Sequence, residues 1–467
     1  MYIELDRNSG IPVKKQLYDA ITLKILQGEL VKGEKLPSTR ELANQLNIAR
    51  NSVIEIYEQL ASEAYLETIG GRGTFVCEGR GGITDSCALP EHKKPDKAVK
   101  SSCIDFGSGV PDLGAFPRKA WLRALKDSLD RAEDAELGYN PVFGYQPLRR
   151  SLAQYLMKYK GIRCLYEQIV IVNGTADAIA LLAVLFRKTV SEVLVESAVV
   201  SFVPDIFREF GYRIVPVKVD QSGICTEDLP ETKEGLIFTS PTHQFPLGGT
   251  LSFERRRKLA DYAKAHVHYI IEDDYDSEFR YAGAPVNSVC QLAPENVIHL
   301  GTFSKTLAPF LRLGYMVLPV LLVPQVRELQ SLLYRRVNTH AQMALNLLFE
   351  QGVYVKHVNA MCKLYKRKML TITSALRREF GDHIQVLGAS SGLHVAVVFP
   401  ERIFDSKSRA VFLRHEVDAE LLSDYTIEMQ ETCDTVILGF GHLAEAEISE
   451  GIRRLKAAVD ELAQGQN

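Results

Sequence analysis

The sequence has little of what marks a specialised protein. Its 467 residues include one tryptophan, and its eight cysteines stand apart at 77, 87, 103, 164, 225, 290, 362 and 433. No two of them form a C-x-x-C pair, and no Cys/His run has zinc-ligand spacing, so no metal is expected and the thiols read as free in a reducing compartment. No apolar run reaches the roughly 18–20 residues that a membrane span needs. The opening residues, MYIELDRNSG, carry acids and no apolar centre, unlike a secretory signal. Together these absences predict a cytoplasmic protein with no membrane partner. An excess of positive charge is also missing. Lys and Arg number 55 against 58 Asp and Glu, a net of −3, so no global field announces a nucleic acid. What is present is ordinary: 46% hydrophobic and 24% charged residues, which exclude disorder and a disulfide scaffold, over a length suited to two or three domains.

Residues 11–76 are dense in helical periodicity. Residues 77–103, CEGRGGITDSCALPEHKKPDKAVKSSC, are poor in large apolar side chains and read as a flexible linker. From Ile104 onward short β-rich runs alternate with amphipathic helices, the pattern of an α/β domain with a largely parallel sheet. The predicted division is therefore 1–76, 77–103 and 104–467.

Within 1–76, Val13, Leu17, Ile21 and Ile25 form a helical stripe ending near Gly28. Ser38 and Glu41 have capping-box spacing, which predicts a second helix with Leu42, Ala43 and Leu46 inward. Val53, Ile56, Tyr57 and Leu60 predict a third helix after a break at Asn47-Ile48. Two short helices around a tight turn make a helix-turn-helix, whose second helix offers Arg50, Asn51 and Ser52 at its N-terminus to base edges or phosphates. Two β runs around Gly70-Gly71-Arg72-Gly73 predict a hairpin tipped by Arg72. Residues 1–76 carry nine Lys and Arg against ten Asp and Glu, which by itself suits a solvated protein-interaction domain.

The runs P-S-T-R-E-L-A-x-x-L, A-R-N-S-V and G-R-G-T-F-V resemble the winged helix-turn-helix of GntR-type repressors, in order and spacing. The resemblance implies double-stranded DNA as partner, with contacts from Arg40, Arg50, Asn51, Ser52 and Arg72. Ile54 stands where many of these proteins have a further basic residue.

In the large domain, the run Ile169–Val172 leads into Asn173-Gly174-Thr175 and a helix, a place for a phosphate on backbone N–H groups. Tyr269-Ile270-Ile271 leads into Glu272-Asp273-Asp274-Tyr275, and Val297–Leu300 into Gly301-Thr302-Phe303-Ser304-Lys305, with Arg312 seven residues further on. Singly these are a strand–helix turn, helix-capping acids and a surface lysine. Jointly they are the equipment for pyridoxal 5′-phosphate, which needs an imine-forming lysine, an acid for its ring nitrogen and phosphate ligands.

With Y-x-x-x-x-G at Tyr139–Gly144 and L-R-x-x-L-A-x-Y-L from Leu148, residues 104–462 resemble fold-type I aminotransferases. The resemblance implies Lys305 as the imine lysine, Asp273 on the pyridine nitrogen and Tyr275 on the 3-hydroxyl. Gly174, Thr175, Thr302, Ser304 and Arg312 would take the phosphate. A winged helix joined to such a domain resembles the MocR/GabR subfamily of GntR regulators. The fold class implied is an α+β winged helix-turn-helix followed by an α/β, pyridoxal-phosphate-dependent fold-type I aminotransferase-like domain with a small C-terminal subdomain, assembled as a homodimer.

Three departures separate enzyme from sensor. His243-Gln244-Phe245-Pro246-Leu247-Gly248 places Phe245 where catalytic relatives have asparagine, and His243 reads as a loop histidine satisfied by backbone. Val200 and Ser201 stand where relatives carry an aromatic over the cofactor, which leaves Phe202 to stack in its stead. No arginine precedes Ile437-Leu438-Gly439-Phe440, so a ligand carboxylate would meet Glu431 or Asp434, unless Arg414 supplies the charge. The expectation is a regulator with no catalytic residue, responding to pyridoxal phosphate and controlling vitamin B6 synthesis or salvage. Two alternatives stand beside it: a regulator sensing an amino acid, dipeptide or amine through the cofactor, and a working aminotransferase.

Overall fold

The computed structural model describes residues 3–77 apart from 4 and 8, and 103–465 apart from 140, 232–234, 267, 284–286, 334 and 429. Nearly all of the expected linker, 78–102, lies outside them. The chain divides into two units, Met1–Lys100 and Ser101–Asn467.

In the first unit, helix α1 (Val13–Leu26) buries Leu17, Ile21 and Ile25. Helix α2 (Thr39–Leu46) opens on the expected capping box: the Glu41 N–H donates to Ser38 Oγ at 3.3 Å, and the Ser38 N–H to Glu41 Oε2 at 2.9 Å. Such a cap stabilises a helix by about 1 kcal/mol. Asn47 stops α2 in the left-handed region (φ 52°), where asparagine is among the few residues tolerated. Helix α3 (Arg50–Ser62) buries Val53, Ile56, Tyr57 and Leu60 against the other two. Strands β1 (Leu66–Ile69) and β2 (Gly73–Val76) pair antiparallel from Leu66↔Val76 to Ile69↔Gly73. Backbone from 33–36 joins them, with the Leu36 N–H donating to the Thr74 carbonyl and the Val76 N–H to the Glu34 carbonyl. The hairpin is thus a three-stranded wing.

The second unit is built on a seven-stranded sheet. Its strand order is Ile169–Val172, Gly314–Val317, Val297–Thr302, Tyr269–Asp274, Leu236–Thr239, Glu192–Glu196 and Arg213–Val217. Gly314–Val317 runs antiparallel to both its neighbours; the remaining pairings are parallel. The sheet is therefore mixed, by one strand. Alternation divides its side chains between two cores. Ile171, Leu194, Ile237 and Ile270 pack on one face, and Val172, Val195, Phe238 and Ile271 on the other. The same alternation sends Asp273 to the face of Ile271, and Asp274 to the face of Ile270.

A four-stranded antiparallel sheet (Gln385–Leu387, His394–Val398, Thr435–Gly439, Glu420–Leu421) with helices Ser406–Arg414 and Glu445–Gly465 forms the small subdomain, alongside the 28-residue helix Val353–Phe380. Among the described residues no helix is long and apolar enough to cross a membrane, and all seven described cysteines are free.

Candidate DNA-binding and cofactor sites

Arg50, Asn51 and Ser52 form the first turn of α3, Arg40 lies in the first turn of α2, and Arg72 sits at the turn between β1 and β2, where its N–H donates to the Ile69 carbonyl. The three arginines are exposed, and none forms an ion pair with a described residue. Arg50 Nε reaches Thr39 Oγ1 at 3.5 Å, which sets it beside α2. Two of the ten acids of residues 1–76 are engaged with α1. Glu55 pairs with Lys14 of α1, and Glu63 accepts from the Tyr18 hydroxyl. Exposed guanidinium groups on α3 and at the hairpin turn, with two acids engaged by α1, let a segment of net −1 present cations locally. Arg50→Ala and Arg72→Ala are each expected to weaken operator binding about tenfold, and to flatten its salt dependence wherever a phosphate contact is lost. Titrating labelled DNA at two salt concentrations checks this.

In the second unit the parallel strands end together, because Val172 pairs with Gly314, Gly314 with Thr302, and Gly301 with Asp274. Their carboxyl ends deliver Gly174, Thr302 and Asp273 to one edge, the usual ligand edge of an open α/β sheet. Gly174 is the N-cap of helix Thr175–Phe186, at φ 93° with no side chain to cap the first-turn N–H groups. A Cβ on it would lie 3.5 Å from Arg312 Nη2, and this same nitrogen donates to the Asn173 carbonyl at 2.7 Å. Thr302 and Ser304 are joined, the Ser304 N–H donating to Thr302 Oγ1 at 3.1 Å. The expected phosphate ligands thus fall into two linked groups, Gly174, Thr175 and Arg312 on one side and Thr302 with Ser304 on the other.

Lys305 is half-buried, and its amino group donates to the Gly109 carbonyl at 2.5 Å. Burial pulls its pKa below the ordinary lysine value, against the pull of Asp276 and Asp273. A lowered pKa enlarges the neutral fraction that can attack a carbonyl. Asp273 is 7% exposed, and its Oδ1 has no hydrogen-bond partner. Burial and the neighbouring Asp274 raise its carboxyl to about 7, although Lys305 opposes them. A buried acceptor left without a donor is costly, and a protonated ring nitrogen is the donor this one lacks.

Tyr275 is tied to His243. Its hydroxyl donates to the His243 carbonyl at 2.9 Å and lies 3.1 Å from His243 Nδ1. His243 is a correction. It is not satisfied by backbone: its Nδ1 lies 2.9 Å from Asp276 Oδ2, its ring centroid is 4.7 Å from that of His394, and its Nε2 has no partner. Sequence reasoning also passed over Glu196. It is fully buried, accepts from Thr239 and Gln244, and is raised by burial to about 7. Contacts such as Lys305 to Gly109 leave no local trace, because the partners are 196 residues apart.

The three departures resolve as follows. Phe245 fills the asparagine place with an aromatic edge, its ring 4.8 Å from Tyr425 and 5.1 Å from His394. Ser201 is exposed, and Phe202 packs on the sheet core beside Val203 and Phe207. Glu431 and Asp434 do not await a ligand carboxylate; both are exposed, and Asp434 accepts from Thr435. Arg414 does not supply the missing cation, because it pairs with Glu461 of the C-terminal helix.

The residues present fit pyridoxal phosphate on two independent counts: the orphaned Asp273 oxygen opposite a lysine of lowered pKa, and the uncapped helix N-terminus beside Arg312. Comparison with known proteins places this geometry. Residues 13–76 match the bacterial regulatory proteins of the gntR family, and residues 101–436 match aminotransferase class I and II. The chain belongs to the MocR-type GntR regulators, in which these two domains are joined, and it is a DNA-binding transcriptional regulator with a pyridoxal-phosphate-dependent aminotransferase-like domain. It is 35% identical to the HTH-type transcriptional regulator YdeL of Bacillus subtilis, over 97% of this chain and 98% of that one. It is 30% identical to the probable rhizopine catabolism regulatory protein MocR of Rhizobium meliloti (97% and 95%). It is also 30% identical to the pyridoxine biosynthesis transcriptional regulator PdxR of Corynebacterium glutamicum (85% of each chain). Among solved structures, the kynurenine aminotransferase of Pyrococcus horikoshii superposes with a TM-score of 0.71 at 26% identity, covering 77% of this chain and 91% of that one.

Proposed function

We propose that this regulator senses pyridoxal phosphate itself and controls vitamin B6 supply, with residues 1–76 binding DNA, 104–467 sensing, and 77–103 joining them. One observation carries the reading. The segment before Phe440 offers no arginine, its acids face solvent, and Arg414 is tied to Glu461, so an amino-acid carboxylate meets none of these cations beside Lys305. The relation to a pyridoxine biosynthesis regulator supports it.

When bound, the cofactor supplies an electrophilic carbonyl carbon and a ring that withdraws electrons. Lys305 would contribute the amine, its pKa drawn below the ordinary lysine value by burial. Asp273 would accept a hydrogen bond from the ring nitrogen, and Tyr275, beside His243, would bond the 3-hydroxyl. Gly174 and Thr175 offer N–H groups, Thr302 and Ser304 hydroxyls, and Arg312 a guanidinium to the phosphate. With Phe245 in place of asparagine and no arginine in the segment before Phe440 to grip a substrate carboxylate, the site holds its cofactor without turning over a substrate. A homodimer is part of the reading: Leu122 and Leu129, seven apart on one helix, are exposed and need cover. Binding then shifts the spacing of two winged helices on two half-sites.

The visible absorbance of the loaded protein tests this. The band is expected to stay in place on addition of amino acids, dipeptides and amines. A shift produced by one of them, at concentrations that also change DNA affinity, would establish that compound as the effector instead.

A further inference from the structure

Behind the cofactor residues lies a second cavity, of about 480 Å³, which the reading above does not use. It opens on the sheet face of Asp274, the opposite face from Asp273. Its charged lining residues are Lys160 and Arg280 against Asp274 and Glu278, which sum to zero but are not evenly paired. Lys160 Nζ lies 2.8 Å from both Asp274 Oδ2 and Glu278 Oε1, and these two acids outweigh burial to keep the lysine charged. Both acids of that cluster are engaged by Lys160. Arg280 is outside it.

The Arg280 guanidinium, half-buried in the cavity wall, has no ion pair or side-chain hydrogen bond with a described residue, and its Nε is buried with no acceptor. Burial draws its pKa down, with no acid to oppose. Ser391 is 2% exposed, and its Oγ likewise has no partner. Arg280 and Ser391 face each other across an antiparallel bridge, so their side chains rise side by side from the backbone. Gly283 leaves the guanidinium its room, since a Cβ there would sit 2.8 Å from Arg280 Nη2. A half-buried guanidinium with an unsatisfied Nε beside the buried, unsatisfied Ser391 hydroxyl makes a grip suited to an oxyanion, because buried donors without acceptors are costly. A planar carboxylate matches the guanidinium fork. Tyr155, Tyr159 and Tyr281 give the remaining wall aromatic surface.

We propose that this cavity binds a small aromatic carboxylate, with Arg280 holding the carboxylate and Ser391 donating a further hydrogen bond. This adds a second ligand to the regulator and goes beyond cofactor sensing. The cavity is also wired to the cofactor site. Thr242 lines it and precedes His243; Asp274 lines it and follows Asp273; Ser391 lines it and precedes Gly392, where a Cβ would collide with the His243 ring. An occupant therefore bears on the residues that hold Asp276 and Tyr275.

Calorimetric titration of the full-length, cofactor-loaded protein with benzoate tests the proposal. Wild-type protein is expected to bind benzoate, and Arg280→Gln to weaken that binding at least about tenfold. Ser391→Ala removes only the hydroxyl, decides the matter if the arginine variant does not fold, and is expected to weaken binding measurably. Cofactor loading, read from visible absorbance on the same samples, is expected to be unchanged in both variants, which separates this site from the sensing reading. Absence of benzoate binding to wild-type protein, or equal affinity in all three proteins, would overturn the proposal. Inorganic phosphate binding at the same site in preference to benzoate would overturn the carboxylate assignment.

Discussion

Replacing Lys305 with alanine is expected to abolish the visible absorbance of the cofactor-loaded protein and to weaken retention of pyridoxal phosphate by at least about 100-fold. The side chain is half-buried, its amino group engages only the Gly109 carbonyl among the described residues, and its pKa is drawn down, so it is arranged for bond formation with a carbonyl carbon and not for an ion pair. The variant is expected to bind DNA in the state of the cofactor-free wild type and to ignore added cofactor. Absorbance after dialysis, followed by DNA titration with and without cofactor, measures both effects. An unchanged visible band would mean that another amine carries the cofactor.

The second large effect concerns Asp273. Its carboxyl is raised from an ordinary value of 3.8 to about 7 in the cofactor-free fold, first by burial and then by Asp274. The folded state therefore binds a proton that the unfolded chain releases near pH 4, and stability falls as pH rises from about 4 to about 7. Three units of pKa correspond to about 4 kcal/mol, present as a penalty above pH 7 and relieved below pH 4. Glu196, raised by burial to about 7, acts in the same direction. Asp273→Asn removes one ionisation, so the cofactor-free variant is expected to gain about 2–4 kcal/mol over wild type at pH 8 and to lose that advantage near pH 4. The same change removes the acceptor for the ring nitrogen, so cofactor affinity is expected to fall at least about tenfold. Urea unfolding at the two pH values and a cofactor titration check the pair. A variant less stable than wild type at pH 8 would show that the Asp273 charge is matched by a partner.

These two residues were legible in the sequence because each lies at or just past the end of a buried β run, at a fixed place in a local motif. The winged helix was legible for the same reason. The spacing of Val53, Ile56, Tyr57 and Leu60, and of Ser38 and Glu41, depends only on helix geometry, and both patterns appear in the fold. Net charge misled because it is a sum over the unit; which acids are engaged depends on α1 folding back onto α3, as Lys14 and Glu55 show. His243 was misjudged because its partner, Asp276, arrives from a strand end 33 residues away. Glu431 and Asp434 were misjudged because their exposure depends on where the small subdomain turns, which local spacing does not encode. Arg280 and Ser391, 111 residues apart in sequence, meet only through a backbone bridge. Short-range periodicity carries the scaffold and the principal cofactor contacts; the long-range buried polar pairs carry the remainder of the site.

Whether the cofactor is itself the signal is tested most directly by the affinity of the full-length protein for its operator, selected from a random DNA pool, at one salt concentration. The account predicts that pyridoxal phosphate alone changes that affinity in wild-type protein and leaves Lys305→Ala unaffected. An affinity that ignores the cofactor alone, yet changes when an amino acid or amine is added at saturating cofactor, would contradict it.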